Sequence, residues 1–553
     1  PYGPLTRRNG TEFIAAAKST AVRLISFTYS ITQSVIIELG DHYARFYYMG
    51  GQIITTGDVP YEITTPWSAA EVPALRFAQS GDILFYAHKN YAPGKLSRYG
   101  WTDWRIEGIT FTAQPEEWVA GNYPQQVCFM DQRLIYASTP KENQKIWASR
   151  TGQFTDFTLK TVITSGSTTE TDVLDTDGIA YTISTSDLNP ITWLVPTDIL
   201  AIGTMSSECK AAASALNESL TPSNFRVTPQ TNYGSADLPA YSLGSGVVFI
   251  QRTSNRVRLF DYQYLNNKWE AVDLTIMADH VCAAGVTDLA VTMVKDTIFW
   301  VVLSDGTLAG FTYEKQQKVN AWHRHKIAGG QVKAIATIPS AGSDEVWLIV
   351  ERVINGASVK YVERLAPTMP DVFNPENAAF LDSHKIYSGA ATTSIAGLSH
   401  LEGQTVGVLV DGWVHPDVVV TGGAITLQKA GSKVCVGLKF LSRFVSMEIE
   451  SQQNLTKGLN KRLYKADISL YNSLGAKVGS IPGSVTDFSS AKLEEIFFGP
   501  TDVMDKACPL FTGIKRVNVP GNNSEDVRLV VQTDYPLPMT LRGVKYHMEV
   551  KDE

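Results

Sequence analysis

One close pair of histidines is the sequence feature nearest to a metal site. His323 and His325 are two residues apart, and on a β-strand such residues share a face, so both imidazoles could meet one ion. Arg324 and Lys326 place positive charge beside them, which opposes a cation. The pattern therefore favours a basic turn or strand end, and we predict neither a metal ion nor another cofactor.

The segment LDTDG at 174–178 resembles a calcium loop only superficially. If Gly178 takes the sixth position of such a loop, Val173 falls at the first and Ser184 at the twelfth, where carboxylates are needed. The segment is therefore predicted to be an Asp-Gly turn.

Acidic pairs could serve glycoside hydrolysis, which uses two carboxyl groups on either side of one bond. Glu116–Glu117 and Glu494–Glu495 are adjacent in sequence, so on a strand their side chains point to opposite faces. SDGT at 304–307 lacks the Trp-terminated spacing of a sialidase Asp-box. The motifs of phosphate loops, dinucleotide-binding turns, zinc proteases and lipase-type hydrolases are absent. We expect no catalytic residues and no enzyme activity.

Positive charge is concentrated modestly in TKGLNKRLYKADI. Lys457, Lys461, Arg462 and Lys465 could contact phosphates or an acidic partner, and exposed charges at a strand end are the alternative. The chain as a whole has 48 Lys and Arg against 55 Asp and Glu, a formal net charge of −7. Such a chain has no global electrostatic footprint for gripping nucleic acid.

The cysteines and apolar segments exclude further classes of protein. The five cysteines form no CxxC motif and most have apolar neighbours, so we predict buried free thiols in a reducing compartment. The longest apolar stretches, such as 298–303, are far shorter than the ~18 residues that span a bilayer. The first residues lack the apolar region of a signal peptide. We therefore expect no resident membrane association.

A short apolar segment, followed by a turn and an aromatic segment, recurs along the first two thirds of the chain. Successive copies are spaced by 48, 50, 66, 48, 50 and 48 residues, and the long interval contains a polar tract at 164–178 that we interpret as a loop insertion. A period of ~40–50 residues is typical of β-propeller blades. We predict about seven blades over 20–365, each opening on one apolar strand; meanders in a large sandwich are the alternative. The markers of these strands are Ile36, Leu84, Leu134, Leu200, Val248, Ile298 and Val346.

Composition and turn signals extend the all-β prediction to the rest of the chain. Aromatic residues make up 10% and charged residues only 19%, which favours strands. The Ala-rich windows at 11–25 and 208–219 lack helix caps and are read as strand or loop. Asp-Gly and Gly-Gly pairs predict hairpins after 398. The predicted division is a propeller-like domain at 1–365, a small Gly-rich β domain at 366–440 and a C-terminal β domain at 441–553.

Six segments, in the same order, resemble the tail nozzle or tail hub proteins of short-tailed bacteriophages, also called tail tubular protein B or stabilisation proteins. The first, RRNGTEFIAAAK, resembles the RRPGTxF opening motif of that family, with Asn9 where Pro is usual. Family members also generally begin with a further segment ahead of this motif, so contacts made by that segment are not carried over. The segments are 7–18, 75–98, 191–204, 398–412, 511–522 and 536–544.

The resemblance implies a structural component of the virion tail, assembled in the host cytoplasm, with no catalytic residues. It implies a homo-hexameric ring below the portal and adaptor that extends and closes the channel for DNA ejection. The implied partners are the tail adaptor, tail fibre or spike and tail-tip proteins, and genomic double-stranded DNA that passes through the lumen without sequence-specific binding. The alternatives are a propeller that binds or cleaves host-surface glycan, and a peripheral tail protein that docks fibres.

Overall fold

The chain folds almost entirely into β-strands, as a computed structural model shows. Helical structure among the described residues is confined to 3-10 turns at Val72–Ala74, Pro375–Asn377 and Ser399–Leu401. No helix in this part of the chain is long and apolar enough to cross a membrane. The all-β prediction is therefore confirmed. The described residues are 3–165, 168–184, 189–213, 218–340, 342–367, 374–450, 456–485, 491–498, 507–521 and 523–551.

The chain forms two compact units. The repeat unit comprises Ala17–His325 and Val332–Ile349. The terminal unit comprises Pro1–Ala16, Lys326–Gln331 and Val350–Glu553. The division into three domains at 365 and 440 stays a prediction, and residues 368–373 of the connection on which it was based lie outside the described residues.

The chain begins in the terminal unit and then builds six successive antiparallel sheets in the repeat unit. The terminal unit receives β1 (Leu5–Thr6) and β2 (Thr11–Ala16). The first sheet contains β3 (Arg23–Ser30), β4 (Gln33–Gly40), β5 (Tyr43–Tyr48) and β6 (Gly51–Gln52). After it come β7 (Ile54–Thr55), β8 (Val59–Pro60) and β9 (Glu62–Thr64), the last of which pairs with β5. The second sheet contains β10 (Arg76–Ser80), β11 (Ile83–His88), β12 (Tyr91–Gly100) and β13 (Asp103–Gly108).

The third sheet carries the insertion that the long interval predicted. Its strands are β14 (Gln126–Met130), β15 (Arg133–Ala137), β16 (Lys145–Ala148) and, beyond a separate hairpin of β17 (Thr161–Ser165) and β18 (Thr168–Asp172), β19 (Ile179–Thr182). Residues 166–167 of the inserted tract lie outside the described residues.

In each of the next three sheets, four strands lie side by side in chain order. The fourth contains β20 (Ile191–Pro196), β21 (Leu200–Thr204), β22 (Glu208–Ala212) and β23 (Arg226–Thr231). The fifth contains β24 (Tyr241–Leu243), β25 (Gly246–Ile250), β26 (Val257–Gln263) and β27 (Lys268–Asp273). The sixth contains β28 (Val286–Thr292), β29 (Ile298–Leu303), β30 (Leu308–Glu314) and β31 (Val319–His325). The seventh repeat opens with β32 (Gly330–Ile338) and β33 (Glu345–Ile354), each of which has residues in both units.

The predicted apolar segments are all strands, but each is the second strand of its sheet rather than the first. β11, for example, pairs with β10 on one side and with β12 on the other. The second position explains their apolar character, because a strand with neighbours on both edges and sheets on both faces meets little water. The Ala-rich windows at 11–25 and 208–219 contribute strands, and residues 214–217 of the second window lie outside the described residues.

Apolar clusters lie between consecutive sheets of the repeat unit. One cluster packs Phe27 and Phe46 of the first sheet against Trp104 of the second, and four more join the second sheet to the third and so on to the sixth. Trp347 on β33 lies 6.0 Å, centroid to centroid, from Tyr47 on β5, which brings the seventh repeat back to the first. The opening strands of all seven repeats line one cavity. This is the arrangement of a β-propeller.

The terminal unit contains the remaining strands in three sheets. The first of these has the order β34 (Ala357–Leu365), β2, β35 (Asp382–Ile395), β38 (Ile425–Leu438), β36 (Thr405–Val410) and β37 (Trp413–Val419). The second contains, in chain order, β39 (Ser442–Val445), β41 (Lys477–Pro482), β42 (Leu493–Glu495) and β44 (Val527–Thr533). The third joins β1 to β40 (Asn460–Ser473), β43 (Phe511–Asn518) and β45 (Thr540–Lys551).

The predicted Asp-Gly hairpin joins β36 to β37. Asp411 and Gly412 have φ angles of 44° and 85°, as a two-residue hairpin turn with both central residues left-handed requires. A Cβ added to Gly412 would come within 2.7 Å of the Ala507 Cβ and 3.0 Å of the Glu376 amide nitrogen. Only glycine satisfies both the dihedral angle and the space.

Gly412→Val should therefore lower the melting temperature markedly, because the variant combines strain at positive φ with a steric clash. The matched control is Gly543→Val on β45, since nothing lies within 4 Å of a Cβ there and its φ is not left-handed. Thermal unfolding followed by circular dichroism measures both. Equal melting temperatures for the two variants would contradict the turn geometry.

Candidate functional site

The cavity that the opening strands of the repeat unit line is a candidate for a binding site. Its volume is about 300 Å³, at the lower end of the range for small-molecule pockets. Most of its wall is apolar or neutral, but four of its residues are ionisable. These are Arg23 on β3, Arg76 on β10, Tyr241 on β24 and Asp288 on β28.

Two arginines of the cavity are held at the same pair of carbonyl groups. Nη1 of Arg23 donates to the Leu75 oxygen at 2.6 Å and lies 3.4 Å from that of Pro73. Nη1 of Arg76 donates to the Pro73 oxygen at 2.9 Å and to that of Leu75 at 3.1 Å. The 3-10 turn at Val72–Ala74 leaves these carbonyls without helical partners, so they accept from the arginines. Two positive charges are thereby fixed side by side.

The second half of the Arg76 guanidinium is only partly satisfied. Its Nη2 donates to the Asp237 carboxylate at 2.6 Å and to the Asp237 carbonyl at 3.1 Å. Its Nε has no hydrogen-bond partner, although Arg76 is only 7% exposed. A buried donor without an acceptor is costly, which makes this nitrogen a feature that requires an explanation.

Asp288 and Tyr241 complete the charged group. The Asp288 carboxylate accepts from the amides of Ile335 at 2.9 Å and of Leu289 at 2.9 Å. Burial nevertheless raises the pKa of Asp288 to about 6, against the opposing charge of Arg23. Burial likewise raises the pKa of Tyr241 to about 12, and burial together with the charge of Arg76 lowers the pKa of Arg23. The four groups therefore act on one another electrostatically within the cavity.

These residues were not predicted from the sequence, although a signal was present. Arg23, Arg76, Gln126 and Tyr241 each begin the opening strand of a repeat. Aligning the repeats on their opening strands, instead of on the more apolar second strands, would have placed these polar residues at one equivalent position.

The RRNGT motif of the terminal unit forms a second cluster of buried polar groups. Arg8 donates to both oxygens of Asp382 at 2.7 Å, and Asp382 also accepts from the amides of Ala328 at 2.8 Å and Thr11 at 3.2 Å. Burial alone would raise the pKa of Asp382, but the charge and hydrogen bonds of Arg8 lower it. Gly10 is required beside this pair, because a Cβ there would lie 1.7 Å from the Leu381 oxygen.

Neighbouring residues extend this cluster in two directions. Arg7 donates to the carbonyls of Leu537 at 2.9 Å and Phe440 at 3.0 Å. On the other side, Thr11 donates to Glu363, whose carboxylate forms a fully buried bidentate pair with Arg352 at 2.9 Å. We call Arg7, Arg8, Thr11, Arg352, Glu363 and Asp382 the RRNGT network. Its polar groups satisfy one another, which is the arrangement of a structural centre.

The structure separates the four basic residues predicted as phosphate or partner contacts. Lys457 precedes β40 and is exposed, as is Arg462 on that strand, whereas Lys465 is half-buried. Lys461 faces the core at 0% exposure, and its ammonium lies 3.4 Å from Glu448. The set therefore presents three surface cations at most.

The two histidines share one face of β31, as expected, but they contact each other. Nδ1 of His323 lies 2.6 Å from Nε2 of His325, and Nε2 of His323 lies 3.0 Å from the Thr312 hydroxyl. Burial lowers the pKa of His323 to about 4. In the part of the chain that the structure describes, no three His, Cys, Asp or Glu side chains are grouped as a metal site would require.

The LDTDG segment is a turn that surrounds an arginine. Arg133 donates to the carbonyls of Asp175 at 2.6 Å, Asp177 at 2.5 Å and Ser149 at 2.7 Å. The Asp177 carboxylate accepts from Thr161 at 2.6 Å. Carbonyl oxygens that a calcium loop would offer to the metal are here occupied by a guanidinium.

The remaining sequence predictions concern carboxylates and thiols. Glu117 is paired with Lys145, and Glu495 accepts from the Tyr535 hydroxyl at 2.5 Å. The five cysteines are free, as predicted: Cys128, Cys209, Cys282 and Cys435 are buried, and Cys508 is half-buried. Burial raises the pKa of Cys128 to about 12, so this thiol is protonated at neutral pH.

Replacing Arg8 by Ala should reduce the free energy of unfolding by about 3–5 kcal/mol, because it leaves the buried Asp382 carboxylate without its partner. Arg516→Ala is the matched control: Arg516 also forms a bidentate pair, with Asp467, but its side chain is 64% exposed. We expect little change for the control. Denaturant unfolding tests both, and equal losses would show that burial of the Arg8 pair is unimportant.

Asp288→Asn should make the pH dependence of stability flatter. The folded state holds a proton on Asp288 up to about pH 6, whereas the unfolded chain releases it near its ordinary value, so the stabilisation from this group is complete below pH ~4 and is lost as pH rises to 6. The variant should therefore gain melting temperature relative to the wild type at pH 7.5 but not at pH 4.

Asp279→Asn is the control for this comparison, since Asp279 is exposed. A difference between Asp288→Asn and wild type that is the same at both pH values would contradict the raised pKa.

Comparison with known proteins adds little to this geometry. No family model matches the chain. No curated protein matches it. A solved crystal structure of the WD40 repeats of RRP9 is similar over 66% of this chain and 100% of the other, with a TM-score of 0.40 and 9% sequence identity. The propeller-like fold is defined by the sheets and the shared cavity described above, and this similarity carries no functional inference.

Proposed function

We propose that this chain is a structural protein of the virion tail of a short-tailed bacteriophage. In this proposal six copies form a ring, the nozzle or hub, below the portal and adaptor. The ring extends the DNA-ejection channel, keeps it closed until adsorption and then conducts the genome. The work is mechanical, so the proposal requires rigid subunits and stable interfaces rather than reacting groups.

The observation that carries the proposal is that the segments resembling the phage family make structural hydrogen bonds inside the subunit. Arg7, Arg8 and Thr11 of the first segment belong to the RRNGT network. In the segment at 398–412, the Glu402 carboxylate accepts from the amides of Gly422 at 2.8 Å and Gly423 at 2.7 Å. These residues hold strands and turns in place, which is what motifs of a structural protein are expected to do.

Exposed apolar side chains could form the contacts between subunits that a ring requires. At the tip of the β26–β27 hairpin of the fifth sheet, the adjacent residues Tyr264 and Leu265 are 86% and 96% exposed. Large exposed apolar residues grouped in this way mark sites of protein association. A ring requires interfaces in which one surface meets a different surface of the next copy.

The negative net charge of the chain is consistent with the proposed channel for DNA. The formal net charge of −7 limits phosphate contacts, which would retain a passing duplex. The proposed partners are therefore other tail proteins: the adaptor, fibres or spike, and tip proteins.

Binding or cleavage of host-surface glycan is the second candidate, and the central cavity is the feature that favours it. Cleavage by the usual mechanism requires two carboxyl groups about 5–10 Å apart. Among the described residues that line the cavity, Asp288 is the only carboxylate. This observation favours binding over cleavage within that candidate.

The ring is tested by the mass and copy number of the chain. We expect purified protein, measured by mass photometry, to contain a species of six chains, and quantitative mass spectrometry of virions to give six copies per particle. Leu265→Asp should shift the assembly toward single chains without changing the circular dichroism spectrum, because it places a charge at an apolar contact. Lys141→Asp, another exposed site of the repeat unit, is the control. A virion copy number other than six would reject the ring.

A further inference from the structure

The sheet of the terminal unit that contains β1, β40, β43 and β45 has one face in the core and one in solvent. Ala466 of β40 is buried in an apolar cluster, so the alternating residues Lys465 and Asp467 lie on the opposite, solvent-facing side. Residues directly opposite on neighbouring strands share a face, and Asp467 lies opposite Lys545 of β45 and Arg516 of β43. The side chains of three strands therefore meet on this side of the sheet.

Positive charge dominates this solvent-facing side, which we call the basic face. Its carboxylates are Asp467, which is paired with Arg516 at 2.7 Å, and Glu549, which lies opposite Arg462. Among the described residues, Arg516 is the one cation of this face that forms an ion pair. Five cations against two carboxylates leave three positive charges in excess; since the whole chain carries −7, the rest of it carries −10. The five cations are Arg462, Lys465, Arg516, Arg542 and Lys545, with the Arg542 guanidinium 4.3 Å from the centroid of the Tyr471 ring on the same face.

The insertion in the third repeat carries the opposite charge. Its strands β17 and β18 pair only with each other, and the third sheet of the repeat unit has four strands without them. Glu170, Asp172 and Asp175 are exposed, whereas the stretch 161–175 contains no Lys or Arg. None of these three carboxylates forms an ion pair with a described residue. We call β17, β18 and the residues from β18 to Asp175 the acidic hairpin.

The acidic hairpin lacks the packing that a pair of strands requires. A two-stranded hairpin is at best marginally stable by itself in water. This one is tied to the repeat unit at its base, where the Thr161 hydroxyl donates to Asp177 at 2.6 Å. Beside its carboxylates, Val162 and Val173 are 60% and 45% exposed. The basic face offers a matching combination, because Ile514 lies among its cations and is 68% exposed.

We propose that the acidic hairpin of one copy binds the basic face of a neighbouring copy. Opposite charges would surround an apolar centre, as in protein interfaces with a hydrophobic core and a polar rim. Because the two surfaces differ, the contact runs head to tail, which is the kind of contact that closes a ring. The inference rests on the proposed ring and identifies one of its contacts. Asp467 and Glu549 within the basic face would repel phosphates, which favours a protein partner over a nucleic acid.

Two double charge reversals at exposed residues test this contact. The hairpin variant is Glu170→Lys with Asp172→Lys, and the face variant is Arg462→Glu with Lys545→Glu. Sedimentation velocity at micromolar protein and about 50 mM salt measures self-association. Each variant alone should associate at least about tenfold more weakly than the wild type, because like charges then meet. An equimolar mixture of the two should restore assembly, since contacts between unlike copies are again complementary.

The control reverses two exposed cations elsewhere, Lys141→Glu with Lys295→Glu, and has the same net charge as the face variant. It should assemble like the wild type. If either double variant melts early in circular dichroism, the single changes Asp172→Lys and Lys545→Glu replace it.

The contact would be overturned by a wild type that stays a single chain, by assembly that persists in both variants, or by a mixture that stays unassembled. A short DNA duplex that binds the wild type but not the face variant, with self-association unchanged, would assign the basic face to nucleic acid instead. The copy number in virions tests the ring separately. An assembly of other than six chains that requires both surfaces would support this contact and reject the hexamer.

Discussion

The buried pairing of Arg8 with Asp382 is the interaction on which the terminal unit depends most. An ion pair removed from water is favourable only when its remaining hydrogen-bonding positions are filled. Here the amides of Ala328 and Thr11 donate further hydrogen bonds to the Asp382 carboxylate. The Thr11 hydroxyl donates one to Glu363 of the adjacent Arg352–Glu363 pair. Four separate segments, at residues 8–11, 328, 352–363 and 382, must be correctly placed before both ion pairs are satisfied, so the network selects one arrangement of strands.

The repeat unit uses the opposite principle. Its consecutive sheets are joined by apolar and aromatic clusters, which tolerate variation in sequence as long as volume is kept. Charge is concentrated where the seven opening strands converge, at Arg23, Arg76 and Asp288. A ring of packed sheets supplies the rigidity that holds these groups in place.

The fold was predictable from the sequence because an apolar strand recurs at a nearly constant spacing along the chain. The markers from Ile36 to Val346 lie on equivalent strands, and the Asp411–Gly412 turn requires the residue types that form it. The strand order within each blade was predicted wrongly, since the most apolar strand is the second one and the opening strand carries polar residues such as Arg76. The candidate site was missed for the same reason. Arg23 and Asp288 are far apart in sequence, and only closure of the propeller brings them together.

The sequence also could not predict which residues of the basic and metal-like motifs are buried or what they contact. Lys461 and Arg462 are adjacent in sequence, yet the alternation of the strand buries one and exposes the other. The carbonyls of LDTDG bind Arg133, a residue some 40 positions away that no local pattern could identify. Local motifs thus predicted the turns, whereas the partners of buried charges depended on tertiary packing.

A cryo-EM reconstruction of the intact particle tests the central claim, a ring-forming propeller in the phage tail, most directly. The proposal predicts a sixfold ring below the portal and adaptor, with one seven-bladed propeller in each subunit. Density for this chain away from the tail axis, or in a ring of different symmetry, would contradict it.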